Sequence, residues 1–238
     1  MVVIFIFAEA KGEAMAKLRY FGHSTFQIIY DDGTSVFIDP YFSAEGRDYP
    51  SVAKDAHWVK QCDAIFVTHE HHDHCEPETI TEIAERTWAS VVAPKPVLAT
   101  LRVPDRIKVE VRTGDKFDVK GLRVEVMKAV HPQSTYPVGY IIEKDGIRVY
   151  HAGDTYEFAE MTGISCDYAL LPIGGSMTMD PIGAEKAAKE ISCKYIVPMH
   201  YSTWNRIAQS PREFANGLKG SRVTVLPMKF GEEITLAK

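Results

Sequence analysis

The motif His69-Glu70-His71-His72-Asp73-His74 constrains this chain more than any other feature of the sequence. It has the form His-x-His-x-Asp-His and directly follows an apolar run at 64–67. In an extended segment, residues two apart project to the same side, so His69 and His71 suit one ion. Asp73 and His74 follow where the chain must turn, and they suit a second ion. Imidazole and carboxylate are ligands for zinc and other first-row divalent ions, so the motif predicts a metal site at the end of a buried strand.

Further metal-ligand residue types occur singly, each at the C-terminal end of another apolar run. Taken alone, each is also explained as a structural histidine or a turn aspartate. Together with the first cluster they complete two coordination spheres, and paired ions of this kind stand roughly 3.5–4 Å apart. These residues are His131, Asp154 and His200.

The chain resembles the metallo-β-lactamase superfamily over about residues 17–236. The matching elements are Thr68-His69-x-His71-x-Asp73-His74, His131, Gly153-Asp154-Thr155 and Pro198-Met199-His200-Tyr201. It resembles more closely the small metal-dependent hydrolases related to ascorbate-6-phosphate lactonase. The marks of that group are Tyr20-Phe21-Gly22-His23-Ser24, Phe37-Ile38-Asp39-Pro40, Tyr150-His151-Ala152-Gly153-Asp154-Thr155 and Leu171-Pro172-Ile173-Gly174-Gly175.

The resemblance implies a single-domain, four-layer αββα sandwich of class α/β (α+β), with the site at one edge between two sheets. The alternation of strand-like and helical segments by itself supports only a mixed α/β sandwich. Residues 17–238 form the predicted domain, and residues 1–16 form an N-terminal extension. For residues 1–14 the sequence leaves three explanations open: an extra strand, an oligomer contact, or an extended start before Met15.

Roles for the site follow from the resemblance together with the chemistry. One ion is expected on His69, His71 and His131, and the other on Asp73, His74 and His200, with Asp154 bridging both. A hydroxide between the ions would attack a carbonyl or phosphoryl centre, and the ions would stabilise the resulting charge. The expected cofactors are two divalent metal ions. Zinc is the first choice, with manganese and iron as alternatives.

Three residues are predicted to be catalytic: Asp73, which orients the nucleophile or takes a proton, and His23 and Asp39. The resemblance places His23 and Asp39 beside the metals, in proton transfer or in orienting ligands. The alternative is a buried His–Asp pair that ties two strands together, and the sequence leaves this open. Thr68 and His151 are expected to accept hydrogen bonds from ligating histidines.

A substrate pocket is expected beside the metals. The loop at 174–180 should pass near the site, and several aromatic and basic residues could line the pocket. Arg206 among them could pair with a substrate phosphate or carboxylate. The other candidates are Tyr136, Tyr156, Tyr201 and Trp204.

The predicted activity is hydrolysis of an ester, lactone or phosphodiester bond in a small anionic substrate. The net charge of −5 and the lack of a basic stretch argue against a nucleic-acid partner. Two alternatives stay open: a nuclease or phosphodiesterase acting on RNA or nucleotides, and a non-catalytic metal-binding or scaffold protein. A β-lactamase proper is disfavoured because it usually has Cys at the position of Asp154.

Cysteine spacing and hydropathy predict the cellular compartment of the protein. Four cysteines without a Cys-x-x-Cys spacing indicate free thiols in a reducing cytoplasm. The apolar residues 2–8 are too few to span a bilayer, which takes about 20, and no basic region precedes them. We therefore expect a cytoplasmic enzyme without a membrane partner, and the resemblance favours a homo-oligomer.

Overall fold

The computed structural model describes residues 14–42 and 55–238. These residues form two mixed seven-stranded sheets flanked by helices, which confirms the predicted αββα sandwich. The strands are β1 (Met15–Gly22), β2 (Thr25–Tyr30), β3 (Ser35–Ile38), β4 (Ala64–Phe66), β5 (Ser90–Ala93), β6 (Lys108–Glu110), β7 (Lys116–Val119), β8 (Leu122–Lys128), β9 (Val138–Lys144), β10 (Ile147–His151), β11 (Tyr168–Pro172), β12 (Tyr195–Met199), β13 (Thr224–Val225) and β14 (Glu233–Ala237).

Each sheet is antiparallel in one half and parallel in the other. The first sheet has the order β14-β1-β2-β3-β4-β5-β6, and it is parallel from β3 to β6. The second has the order β13-β12-β11-β10-β9-β8-β7, and it is parallel from β13 to β10. The carboxyl ends of parallel strands share one edge of a sheet, and such edges are where open α/β sheets bind ligands.

Helices cover the outer faces of the sandwich. Each of the four α-helices has proline in its first turn, where the missing N–H costs nothing. Asp180 and Ser210 cap two of them, accepting from the backbone N–H groups of Gly183 at 2.8 Å and Glu213 at 3.2 Å. The α-helices are α1 (Pro77–Thr87), α2 (Lys95–Leu98), α3 (Pro181–Glu190) and α4 (Pro211–Gly217), and the short 3₁₀ helices are Ala56–Trp58, Asp105–Ile107, Ala159–Gly163 and Asn205–Ile207.

Two strands have local features that the sequence pattern does not reveal. The side chains of β7 are exposed or half-buried, which leaves only a weak apolar pattern. Strand β4 ends at Phe66, although the apolar run before the His-rich motif continues to Val67. The backbone N–H of Thr68 leaves the sheet and donates to Asp39 Oδ1 at 2.7 Å. The backbone therefore leaves the sheet just before the His-rich motif begins at His69.

The hydrophobic core has two parts because strands β3 and β4 are buried on both faces. Val36, Ile38 and Phe66 face the core between the two sheets. Phe37 and Ile65, the alternate residues, pack toward α1 together with Ile80, Ile83 and Val91. This two-sided burial explains the continuous apolar run before the His-rich motif.

The proposed N-terminal extension lies mostly outside the described residues. Met15 and Ala16 already belong to β1, where they pair with Ala237 and Leu236 of β14. Within residues 14–42 and 55–238, none of the helices has the length and apolar character needed to cross a membrane.

Candidate metal centre

The structure brings the predicted ligands to one edge of the sandwich, beyond the carboxyl ends of β4, β8, β10 and β12. They form two groups, and within each group one candidate ligand atom per residue lies within 4.8 Å of the others. His23 joins the second group, although the sequence did not predict it as a ligand. The groups are His69, His71, His131 and Asp154, and His23, Asp73, His74 and His200.

Asp154 lies between the two groups. Its Oδ1 is 3.2 Å from His74 Nε2, and its Oδ2 is 3.2 Å from His200 Nε2. The same Oδ2 is 3.9 Å from the Nε2 atoms of His69 and His131. One buried carboxylate therefore faces histidines of both groups, as the predicted bridging role requires.

Four of the histidines have a fixed tautomer. In each, one ring nitrogen donates to an oxygen outside the centre, so the nitrogen that faces the centre presents a lone pair. Carbonyl and carboxylate oxygens only accept, and Thr68 Oγ1 already donates to Asp39 Oδ2. The donor–acceptor pairs are His69 Nδ1 to Thr68 Oγ1 (2.9 Å), His71 Nε2 to Gln133 O (3.1 Å), His74 Nδ1 to Asp39 Oδ2 (2.7 Å) and His131 Nδ1 to Met177 O (3.1 Å).

Several atoms that face the centre lack a hydrogen-bond partner among the described residues. His69 Nε2, His74 Nε2 and Asp154 Oδ1 are buried without a hydrogen bond of good geometry to any described residue. His71 Nδ1 and His131 Nε2, both with lone pairs, lie 3.2 Å apart. A buried polar atom without a partner costs about 1–3 kcal/mol. Cations between the two groups would satisfy all of these atoms, so the residues present fit divalent metal ions.

The electrostatic environment favours positive charge at one histidine of the centre, His74. Burial opposes a charge on His74, yet the carboxylates of Asp154 and Asp39 raise its pKa well above the usual value. For Asp154, burial opposes ionisation, but His200 and His74 hold its pKa well below the usual range. Burial and the neighbouring His74 lower the pKa of His69. The carboxylates of Asp154 and Asp39, which would keep a proton on His74, would equally attract a metal ion.

Asp39 orients one candidate ligand of each group. Its Oδ2 accepts from His74 Nδ1 at 2.7 Å and from Thr68 Oγ1 at 2.8 Å, and Thr68 in turn accepts from His69. Asp39 is fully buried and has a left-handed backbone with φ 46°. Non-glycine residues in this region are strained, and such residues cluster at functional sites.

His23 does not pair with Asp39, so the alternative of a buried pair between these two residues does not apply. His23 Nε2 donates to Asp73 Oδ2 at 3.0 Å, and its Nδ1 accepts from Thr203 Oγ1 at 2.7 Å. Burial lowers the pKa of His23 to about 3, so the ring is neutral. Because both ring nitrogens are engaged, His23 positions the carboxylate of Asp73.

The turns that carry Asp154 and His200 require close backbone approaches. A Cβ atom on Gly174 would lie 2.1 Å from the carbonyl oxygen of His200, whose own φ is 55°.

His151 was expected to take a hydrogen bond from a ligating histidine. Instead its Nδ1 accepts from the N–H of Gly153 at 3.1 Å and its Nε2 donates to Ser24 O at 3.0 Å. It therefore fixes the turn before Asp154.

Sequence reasoning missed several supporting residues. The carbonyls of Gln133 and Met177 orient His71 and His131, but a backbone carbonyl leaves no trace in the side-chain pattern. Glu70 accepts from Ser134 Oγ at 2.8 Å and from the N–H of Thr135 at 2.6 Å, holding the loop after His131. The position of Glu70 within the His-rich motif was the sequence feature that could have indicated this supporting role.

A cavity of about 640 Å³ opens over both groups. The loop after Gly174-Gly175 supplies one wall, as predicted, through Ser176 and Met177. Of the predicted pocket residues, Trp204 and Arg206 line this cavity, whereas Tyr136, Tyr156 and Tyr201 do not. The lining residues are His71, His72, Asp73, His131, Gln133, Asp154, Ser176, Met177, His200, Trp204, Asn205, Arg206 and Ile207.

Comparison with known proteins agrees with this geometry. The model of the β-lactamase superfamily domain matches residues 17–200. A UPF0173 metal-dependent hydrolase of Thermococcus onnurineus is 35% identical, over 93% of this chain and 100% of that protein. A UPF0173 metal-dependent hydrolase of Pyrococcus furiosus is 37% identical over the same shares.

Solved structures show the same fold. Igni18, a metallo hydrolase from the archaeon Ignicoccus hospitalis, has a TM-score of 0.82 at 33% identity, covering 94% of this chain and 99% of its own. CmlA, a diiron β-hydroxylase from Streptomyces venezuelae, has a TM-score of 0.72 at 16% identity, covering 97% and 55%, and shows the fold alone. The chain belongs to the β-lactamase superfamily domain family, among its metal-dependent hydrolases.

Proposed function

We propose that this protein hydrolyses an ester, lactone or phosphodiester bond of a small anionic substrate with two divalent metal ions, zinc first. His69, His71 and His131 would hold one ion, Asp73, His74 and His200 the other, and Asp154 would bridge them. The observation that carries the proposal is the position of Asp154, whose two oxygens lie 3.2 Å from His74 Nε2 and His200 Nε2.

The protein's own groups divide the remaining work. Bound ions would supply a hydroxide nucleophile near neutral pH and Lewis-acid stabilisation of developing charge. Asp73 lines the cavity and would orient the attacking water or accept its proton. His23 would hold Asp73 ionised by donating to Oδ2, since a hydrogen bond to the charged form favours it. Asp39 would act as a positioning residue, because it contacts the ligands and not the cavity.

The alternatives fit the site less well. Nucleic-acid binding depends on many Lys or Arg contacts to phosphates, and among the described residues Arg206 is the single Lys or Arg that lines the cavity. A structural metal site is closed, whereas here Asp73, His131 and Asp154 line an open cavity. Four free thiols support the proposed cytoplasmic location.

The test combines metal analysis with turnover. Protein purified without chelator should contain about two divalent ions per chain and should hydrolyse members of a panel of p-nitrophenyl esters, lactones and bis(p-nitrophenyl)phosphate. Chelation or His71→Ala should abolish turnover while the circular dichroism spectrum stays folded. His57→Ala is the matched control, because this histidine is 72% exposed and pairs with Glu82 away from the centre. Fewer than one ion after reconstitution, with no turnover, would favour the scaffold alternative.

A further inference from the structure

Two of the four thiols lie side by side at the edge of the second sheet that is opposite to the metal centre. Cys166 stands two residues before strand β11, and Cys193 stands two residues before strand β12. The residues that precede them, Ser165 and Ser192, form a parallel β-bridge. In it the N–H of Ser192 donates to Ile164 O at 2.9 Å, and the N–H of Cys166 donates to Ser192 O at 3.0 Å. The bridge therefore sets the two cysteines at neighbouring positions of two parallel segments.

The side chains of this cysteine pair face the same hydrophobic core. Cys166 is buried in the core between the sheets, and Cys193 is half-buried and packs against that core. The thiol of Cys166 donates a hydrogen bond to the sulfur of Cys193. Adjacent strands lie about 4.8 Å apart, within the Cα separation of about 4.4–6.8 Å that a disulfide spans. The backbone at the pair therefore suits a disulfide without a large movement.

The two thiols of the pair differ in reactivity. The hydrogen bond from Cys166 lowers the pKa of Cys193; burial opposes this shift, and the Arg222 guanidinium supports it. That guanidinium is held at the end of α3, where it donates to the carbonyls of Lys189 at 3.0 Å and Ile191 at 2.9 Å. The same hydrogen bond and burial raise the pKa of Cys166. A thiol with a lowered pKa and partial exposure, beside a second thiol, is the arrangement of redox-sensitive cysteines.

The other two thiols have a different environment. Cys62 and Cys75 are buried, and burial raises the pKa of each to about 12. The thiol of Cys62 donates to Ala64 O at 3.2 Å. Such surroundings keep a thiol protonated, and the protonated form is a poor nucleophile. Oxidation should therefore be selective for the pair.

We propose that Cys166 and Cys193 form a reversible disulfide when hydrogen peroxide oxidises Cys193. The Cys193 thiolate attacks one peroxide oxygen, becomes a sulfenic acid and releases hydroxide. The Cys166 thiol then attacks Cys193 Sγ, and the sulfenic hydroxyl leaves as water with the thiol proton. The two sulfurs lose two electrons in total, and the peroxide is reduced to water. A dithiol reductant reverses the reaction, as expected of a disulfide in a reducing compartment.

The disulfide would join the two ends of a segment that reaches the metal centre. Residues 166–193 include strand β11, the loop at 174–180 and helix α3. Within that loop the carbonyl of Met177 orients His131. A cross-link between the ends of the segment restricts the unfolded chain and so stabilises the folded state. Oxidation of the pair would thus strengthen the part of the fold that supplies one wall of the cavity.

Peptide mass spectrometry without reductant tests the inference. The folded full-length protein is treated with hydrogen peroxide, the remaining thiols are blocked, and the chain is cut with trypsin. Cleavage after lysine and arginine places Cys166 in the peptide 149–186 and Cys193 in the peptide 190–194. These two peptides should appear joined, with the loss of two hydrogen atoms, and the count of free thiols should fall from four to two.

Variants assign the two steps. Cys166→Ala should leave Cys193 as a sulfenic acid that dimedone traps, and Cys193→Ala should leave Cys166 reduced. Cys62→Ala is the matched control and should still form the disulfide. The oxidised parent protein should unfold at a midpoint about 5–10 °C above that of the reduced protein, and Cys166→Ala should lack this shift.

Two outcomes would overturn the inference. One is that the peptides 149–186 and 190–194 stay reduced and separate in the peroxide-treated protein. The other is that thiol loss is spread equally over all four cysteines. These readouts do not depend on turnover, so failure of the proposed hydrolytic function would leave the result for the cysteine pair intact.

Discussion

Asp39 Oδ2 accepts a hydrogen bond from His74 Nδ1 at 2.7 Å, and both side chains are fully buried. The same oxygen accepts from Thr68 Oγ1, which connects it to His69. One carboxylate thus fixes the ring orientation of a histidine in each ligand group. Asp154 connects the two groups on the side that lines the cavity, and Asp39 connects them on the side away from it.

Asp39→Asn should weaken metal binding at both groups. The amide nitrogen of asparagine cannot accept a hydrogen bond. In one orientation it faces the N–H of Thr68, which donates to Oδ1, and in the other it faces Thr68 Oγ1 and His74 Nδ1, so the arrangement that orients His69 and His74 is disturbed either way. Loss of such a partner typically costs 10- to 100-fold in metal affinity. The measurement is competition for zinc with a coloured chelator. Asp118→Asn on the exposed edge strand β7 is the control, and unchanged affinity in Asp39→Asn would contradict the positioning role.

His23→Ala should affect the second group selectively. Without the hydrogen bond to Oδ2, Asp73 loses the contact that positions it toward His200. Metal content should fall from about two ions toward one, with the ion on His69, His71 and His131 retained. Thr203→Val, which removes the hydroxyl that donates to His23 Nδ1, should produce a smaller fall in the same direction. Equal loss of both ions would reject this division of the centre.

Gly174→Ala should destabilise the protein and displace His200. The new Cβ would lie 2.1 Å from the His200 carbonyl oxygen and 3.1 Å from Ile207 Cβ, so backbone must move. Overpacking of this kind costs about 1–3 kcal/mol in the free energy of unfolding. Gly163→Ala has open space around its Cβ and serves as the control. Urea unfolding of the two variants gives the comparison, and equal midpoints would show that the turn after β11 tolerates the displacement.

Stability should fall in acid through the ion-pair cluster on the outer face of the second sheet. Hydrogen bonds from Lys116 and Arg148 lower the pKa of Glu125, and Arg148 also donates to Glu143. A carboxyl with a lowered pKa in the folded state contributes stability above the unfolded pKa of about 4.3 and loses it as the pH falls further. Glu125→Gln should cost about 1 kcal/mol at pH 7 and nothing at the acid end.

Unfolding of the Glu125→Gln variant should therefore be compared with that of the parent protein at pH 7 and at pH 3. The difference between them should shrink with falling pH. A difference that stays constant would mean that packing of the Glu125 side chain, and not its charge, stabilises this face.

Local sequence determined most of the strands, the capped helices and the residue types at the centre. Period-two burial, Pro in the first helical turn and the density of His and Asp after a buried strand act over a few residues, so they can be seen in the sequence. Asp180 and Ser210 can be recognised as helix caps from the sequence because a cap involves neighbours along the chain.

Tertiary structure decided which of these residues meet. His23 pairs with Asp73, fifty positions away, and not with Asp39. His151 supports the Gly153 turn, and the carbonyls of Gln133 and Met177 orient His71 and His131. These contacts depend on how two sheets pack and on backbone groups that every residue type possesses. Residue identity alone therefore cannot specify them, and the ring orientations that prepare the centre follow from the fold.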